Sequence, residues 1–250
     1  MKPPAAKLLL TGISVVFGAL GRDLPAQTAG SDASVLVAFD LRTEPEADLD
    51  ELVPLTKTTV LHDKIELTKG LALGVLQKAQ NSPGLSPRNS TVSWVFYGVG
   101  NGSGSGDDSS GNSLAAAIEH NGYFTFTIAP KPGHGLNLSA ATLVISHSYV
   151  SGGKMSGPTQ SAVLSSATGF SADQALAVSE DINNKIATYE LSHPGLTNIT
   201  TPIEFRIYCW RPDGNAIDGS GLSLRQTPGM AVGAGGNVVL SGEVFKLNGR

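Results

Sequence analysis

The sequence predicts an all-β protein, an antiparallel two-sheet β-sandwich of the jelly-roll kind with about ten strands. Three observations predict it. Alternating apolar and polar residues recur along the chain, most sharply where Phe124, Phe126 and Ile128 fall on one face and Tyr123, Thr125 and Thr127 on the other, the period of a half-buried strand. Punctuation is dense, with 30 Gly and 14 Pro, as many tight turns require. Charged residues make up only 15% of the chain and strands do not alternate with helices, which excludes a helical bundle, a disordered chain and a parallel α/β fold.

The first twenty-nine residues stand apart from that fold. Lys2 and Lys7 precede a charge-free run, residues 8–20, and small residues follow around Leu24-Pro25-Ala26 and Thr28-Ala29. A basic start, an apolar stretch too short to span a bilayer and a cleavable small-residue site read as a signal peptide over residues 1–29. Residues 30–250 are then a single exported β-sandwich domain, secreted or held at the cell surface or in the periplasm. Removing residues 1–26 takes away three positive charges and one negative, moving the formal charge from −4 to −6. An acidic product without a Lys/Arg cluster in sequence excludes nucleic acid as a partner. No later apolar run suits a transmembrane anchor, and Cys209, the single cysteine, has no disulfide partner within the chain.

Along the domain, residues 34–41 open as a strand and lead into an acidic loop with Glu44, Glu46, Asp48, Asp50 and Glu51, read as solvated. Residues 58–61 and 65–68 suit two short strands. Residues 71–79 fit a helical stripe through Leu71, Val75 and Leu76 as well as an alternation through Leu71, Leu73 and Val75, and are read as loop. Residues 91–99 form a strand that groups Val92, Trp94 and Phe96 as core candidates, with Val95 and Tyr97 opposite. From Gly100 to Asn112 the chain is a low-complexity tract of Gly, Ser, Asn and Asp with almost nothing to bury, so a flexible surface loop is expected.

A short alanine-rich turn, residues 114–118, and the break at Asn121-Gly122 introduce the strand from Tyr123. Pro130-Lys131-Pro132-Gly133 makes a turn. Residues 141–150 give the next strand, with Leu143, Ile145, His147 and Tyr149 on one side. Residues 161–166, 185–192, 203–210, 222–226 and 237–246 complete the set.

The strings Asn121-Gly122-Tyr123-Phe124-Thr125-Phe126-Thr127-Ile128, Gly135-Leu136-Asn137-Leu138, Ser165-Ser166-Ala167-Thr168-Gly169-Phe170 and Ile203-Glu204-Phe205-Arg206-Ile207-Tyr208-Cys209-Trp210 resemble the secreted bacterial jelly-roll proteins that often carry a PEP-CTERM sorting tail. The resemblance covers most of residues 34–245. It implies a β-sandwich on or outside the cell and no defined activity. The Pro-Glu-Pro motif, membrane helix and basic tail of that group are missing from this sequence, so free secretion is expected over anchoring.

Motifs for chemistry are sparse. His62, His120, His134, His147 and His193 are scattered, with no His-Glu-x-x-His and no Cys-x-x-Cys, so no zinc site is expected. Gly102-Ser103-Gly104-Ser105-Gly106 has glycine where a nucleophile elbow needs serine, and no helix follows to make a dinucleotide fingerprint. Glycoside hydrolysis needs two carboxylates facing across a cleft; the strand carboxylates are Glu190, Glu204 and Glu243.

Glu204 shares a strand face with Arg206, Tyr208 and Trp210, which carries two readings. One is a solvent-facing polar row with Arg206 paired locally. The other is a carbohydrate-binding strip, with Tyr208 or Trp210 stacking on a sugar and Glu204 and Arg206 bonding its hydroxyls. Asp213, Asn215 and Asp218 offer three oxygen ligands for a structural calcium, against the plainer reading of an Asp-Gly-Asn turn; Asp107 and Asp108 are weaker candidates. Otherwise no cofactor is expected. Asn89, Asn101, Asn137 and Asn198 fit the glycosylation sequon and mark surface loops. The functional expectation is an exported, non-catalytic sandwich that binds a polysaccharide or another cell-surface component. A purely structural or adhesive protein and a glycan hydrolase are the alternatives.

Overall fold

The computed structural model describes residues 33–39, 58–73, 93–97, 113–119, 123–150, 159–182, 186–212, 221–225 and 238–248, with the backbone alone at 73, 93–97, 147–150 and 221–225. All of them belong to one compact unit, Asp32–Arg250. The described strands are β1 (Ser34–Phe39), β2 (Thr58–Leu61), β3 (Ile65–Leu73), β4 (Ser93–Tyr97), β5 (Tyr123–Pro130), β6 (His134–Val150), β7 (Gln160–Ser165), β8 (Ala177–Ser179), β9 (Ile186–Leu191), β10 (Ile203–Trp210), β11 (Gly221–Arg225) and β12 (Val238–Lys246), with an α-helix, α1 (Leu114–Glu119), and two short 3-10 turns, Ala172–Gln174 and Pro194–Leu196.

They form two antiparallel sheets, the expected β-sandwich. A seven-stranded sheet runs β2-β1-β12-β6-β11-β4, with β9 also paired to β6, and a five-stranded sheet runs β3-β5-β10-β7-β8. Apolar side chains of facing strands meet between the sheets: every second residue of β5 (Phe124, Phe126, Ile128) and of β10 (Ile203, Phe205, Ile207, Cys209) joins Leu36 and Phe39 of β1, whose register shifts, and Leu143 and Ile145 of β6. Phe126 is central, edge-on to Phe39 of the opposite sheet at 5.4 Å and stacked at 5.3 Å on its cross-strand partner Phe205.

Among the described residues, a polar link crosses this apolar layer. The hydroxyls of Tyr189 on β9 and Ser161 on β7 are hydrogen-bonded to each other, and both residues are buried. Burial pushes the Tyr189 hydroxyl and the neighbouring Cys209 thiol well above their ordinary pKa values, so both stay neutral. Tyr189→Phe strands the Ser161 hydroxyl in the core and should cost about 1–2 kcal/mol, whereas adding Ser161→Ala removes the orphan and should restore part of it. Urea midpoints of the two variants measure this; a double variant no more stable than Tyr189→Phe would refute it.

Several boundaries differ from the sequence expectation. Residues 71–73, read as loop, continue β3: Ala72 and Leu73 pair with Thr125 and Phe124, and two register shifts let the strand keep following β5. Leu71 is buried. The alanine-rich turn is the helix α1, because Ser113 caps it, its Oγ accepting from Ala116 N at 3.2 Å while its carbonyl accepts from Ala117 N at 3.0 Å. β6 begins at His134 instead of residue 141, and β12 pairs with its first four residues, His134 to Asn137, before a register shift carries the pairing on to Thr142. Asn137, read as a loop sequon, therefore lies within a strand and donates Nδ2 to Glu243 Oε2 at 3.1 Å. β8, three residues long, is too short to register as alternation. The loop expected from Gly100 to Asn112 and the side chain of Trp94 lie outside the described residues.

Candidate functional site

The outer face of the five-stranded sheet carries the residues singled out from the sequence. β10 alternates, sending Ile203, Phe205, Ile207 and Cys209 into the core and Glu204, Arg206, Tyr208 and Trp210 to the other side. Register places Arg206 between Thr125 of β5 and Leu164 of β7, and Tyr208 between Tyr123 and Ala162. Two segments then cover this face. α1 contributes Leu114, Ala117 and Ile118, and the stretch after β7 contributes Phe170 and Ala175, to a second small core with Tyr123, Ala162, Leu164, Tyr208 and Trp210.

The stretch after β7 is fastened as a strap. Ser166 N donates to Glu204 O and Glu204 N donates to Ser166 Oγ, both at 2.9 Å. Gly169, at φ +106°, donates its N–H to Ser165 O at 2.9 Å; a Cβ there would meet Gln174 Oε1 at 1.9 Å, so this turn requires glycine. It delivers Phe170 onto the guanidinium of Arg206, whose Cζ lies 3.8 Å from that ring centroid and 4.7 Å from the centroid of Tyr123. The Tyr123 and Tyr208 rings follow at 5.0 Å.

Arg206 is thus held between two aromatic faces while its Nε donates to Glu204 Oε1 at 2.8 Å. Thr125 Oγ1 donates to the same carboxylate oxygen at 2.9 Å. Burial acts to raise the pKa of Glu204, but the hydrogen bonds from Arg206 and Thr125, with the charge of Arg206, outweigh it and hold the carboxyl below its ordinary value. Burial likewise opposes the charge on Arg206, and the bonds to Glu204 and Tyr208 overcome it and keep the guanidinium protonated.

This arrangement corrects both readings of the strip. Tyr208 and Trp210 are 1% and 5% exposed, so neither ring offers a face for a sugar, and the row is not solvent-facing because α1 and the strap roof it. The local Glu204–Arg206 pair is present, with about a quarter of each side chain still exposed. β5 is correspondingly buried on both faces at Tyr123 and Thr125 instead of half-buried. Phe170, Tyr123, Thr125 and Ser166 complete the cluster and were not singled out as site residues. Thr125 and Tyr123 carried a signal in their outward parity on β5; Phe170 carried none, because its partner lies 36 positions away.

Glu190 and Glu243 do not join Glu204. They belong to β9 and β12 of the other sheet, and Glu243 is held by Asn137. Asp213, Asn215 and Asp218 lie outside the described residues, and among the described residues no three His, Cys, Asp or Glu side chains gather as a metal site. No described helix is long and apolar enough to cross a membrane. Comparison with family models, curated proteins and solved structures finds no match to this chain.

Proposed function

We propose that this chain is an exported, non-catalytic β-sandwich that binds carbohydrate or another component outside the cell, in keeping with its resemblance to secreted jelly-roll proteins. The observation that carries the non-catalytic part is the state of Glu204. A glycosidase acid needs a carboxyl whose pKa is raised so that it holds a proton near neutrality. Glu204 is held the other way by Arg206 and Thr125, as a structural strut. The basic, apolar and small-residue succession over residues 1–29 supports export.

Incubation of the purified protein with soluble and insoluble polysaccharides, assayed both for retention and for new reducing ends, tests the reading. Retention on at least one glycan without reducing-end release is the expected result. Release that disappears in Glu204→Gln would replace it with a hydrolase, and a blank panel would replace it with a structural or adhesive protein.

A further inference from the structure

The outer face of the seven-stranded sheet carries an apolar row that none of the described segments covers. Register sets Val60 of β2 beside Ala38 of β1, Ala38 beside Val239 of β12, and Val239 beside Val144 of β6. The row therefore crosses four neighbouring strands, roughly 14 Å from end to end. Its neighbours along β1, β6 and β12 (Phe39, Leu143, Ile145, Val238 and Leu240) point into the core between the sheets, which puts the row on the opposite side. The middle of it is nevertheless shut off from solvent, with Ala38 0% and Val239 4% exposed. Their apolar partners among the described residues, Val35, Val60 and Val144, belong to the same sheet and are only half-buried. Side chains standing in a row on a sheet shield one another's flanks and not their tips, so a further layer lies over Ala38 and Val239.

The connection from β1 to β2 is placed to supply it. β1 ends at Phe39 and β2 starts at Thr58, and these two residues are register partners, so the connection leaves and returns beside Ala38 and Val60. Residues 40–57 lie outside the described residues, but their sequence carries helix signals at both ends. Thr43-Glu44-Pro45-Glu46 is a capping box with proline in the first turn, and Pro54 is a stop. Between them Leu49, Leu52 and Val53 recur at the i, i+3, i+4 spacing of one helical face, while Glu44, Asp48, Asp50 and Glu51 fall elsewhere on the wheel. A helix over residues 44–53 would be about 15 Å long, which matches the row. Residues 40–43 and 54–57 each reach about 13 Å when extended, enough to lay it back over the sheet. The other connection entering β12, residues 226–237, has Gly229, Gly233, Gly235 and Gly236 and only Met230 and Val232 as large apolar side chains, a poor source of such a layer.

We propose that the outer face of the seven-stranded sheet is the docking surface for the chain's own residues 40–57, which lay Leu49, Leu52 and Val53 on the row Val60–Ala38–Val239–Val144. Burial of apolar tips on both sides drives the docking. The carboxylates of the segment stay on its far side, in water, where a charged side chain costs nothing to keep. A second copy of the chain is the weaker occupant for two reasons. The tether holds residues 44–53 beside the row at an effective concentration of the order of millimolar, and a copy approaching the same margin would bring a second set of these carboxylates against the first.

Maleimide labelling of single-cysteine variants of the full chain tests the docking, with the buried Cys209 left in place as an unreactive background. Leu52→Cys should label at least about tenfold more slowly than Asp50→Cys, although the two positions are two residues apart in the same segment. Adding Val144→Asp to Leu52→Cys should abolish that protection. Val239→Cys should be protected in the same way and should label about tenfold faster once residues 44–53 are replaced by a Gly-Ser segment of equal length. Equal rates at positions 50 and 52 would overturn the proposal, as would a Val239→Cys rate that the replacement leaves unchanged. Protection that fades on dilution, with a dimer in sedimentation, would overturn it in favour of a second copy. Should the Gly-Ser variant fail to fold, the comparison of positions 50 and 52 in the otherwise intact chain still decides.

Discussion

Phe126→Ala should destabilise the fold by about 3–5 kcal/mol, a large part of the ~5–15 kcal/mol that holds a typical domain folded. Phe126 is fully buried and meets Phe39 of β1 in the opposite sheet and Phe205 of β10 in its own. Truncation removes both aromatic contacts and opens a cavity that backbones fixed by cross-strand hydrogen bonds cannot collapse to fill. Phe126→Leu keeps most of the volume and should cost clearly less, about 1–2 kcal/mol. Guanidinium unfolding of the pair measures the difference. Near-equal midpoints for the alanine and leucine variants would show that the Phe39–Phe126–Phe205 contact does not carry the core.

Arg206→Met should cost about 2–3 kcal/mol at pH 7, less than the ~3–5 kcal/mol of breaking a fully buried pair, because about a quarter of each partner remains exposed. Methionine keeps packing between Phe170 and Tyr123 but loses the cation–π attraction and leaves Glu204 ionised with Thr125 as its remaining side-chain donor among the bonds described here. The pH dependence has a definite sign. The folded-state pKa of Glu204 lies below its ordinary value, so its stabilisation is complete above the unfolded value of about 4.3 and is lost as pH falls through the folded value. The deficit of Arg206→Met relative to the parent protein should therefore shrink between pH 7 and pH 3. Adding Glu204→Gln to Arg206→Met should recover part of the loss at pH 7. A deficit of the same size at both pH values would remove the ion pair from the account and leave packing alone.

How much of this was legible beforehand differs residue by residue. Thr58–Leu61 and Ile203–Trp210 emerge as strands with the bounds that their alternation predicts, because side-chain period is a property of consecutive residues. The inward set Phe124, Phe126 and Ile128 is legible for the same reason. Leu71–Leu73 was not, since either period fits those residues and the choice is made by pairing with β5, some fifty positions on. The inward or outward parity of Tyr208 and Trp210 was readable, but not their burial. That depends on Leu114, Ala117 and Ile118 landing on the sheet's outer face from about ninety positions away, and on Gly169 turning Phe170 back over Arg206.

The turns at one end of the sandwich belong to the same class. Lys64, Lys131 and Lys246 are separated by more than sixty and more than one hundred residues, so a scan for basic runs passes over them, and their backbones come together only where the β2–β3 turn, the β5–β6 turn and the end of β12 meet. By itself the sequence determined the all-β class, the position of most strands and which side chains of each strand share a face, since these follow from local period and turn chemistry. The tertiary structure alone decided which outer face is roofed and which charges from distant segments stand together. Those outcomes depend on contacts between segments distant in the chain, which no local pattern encodes.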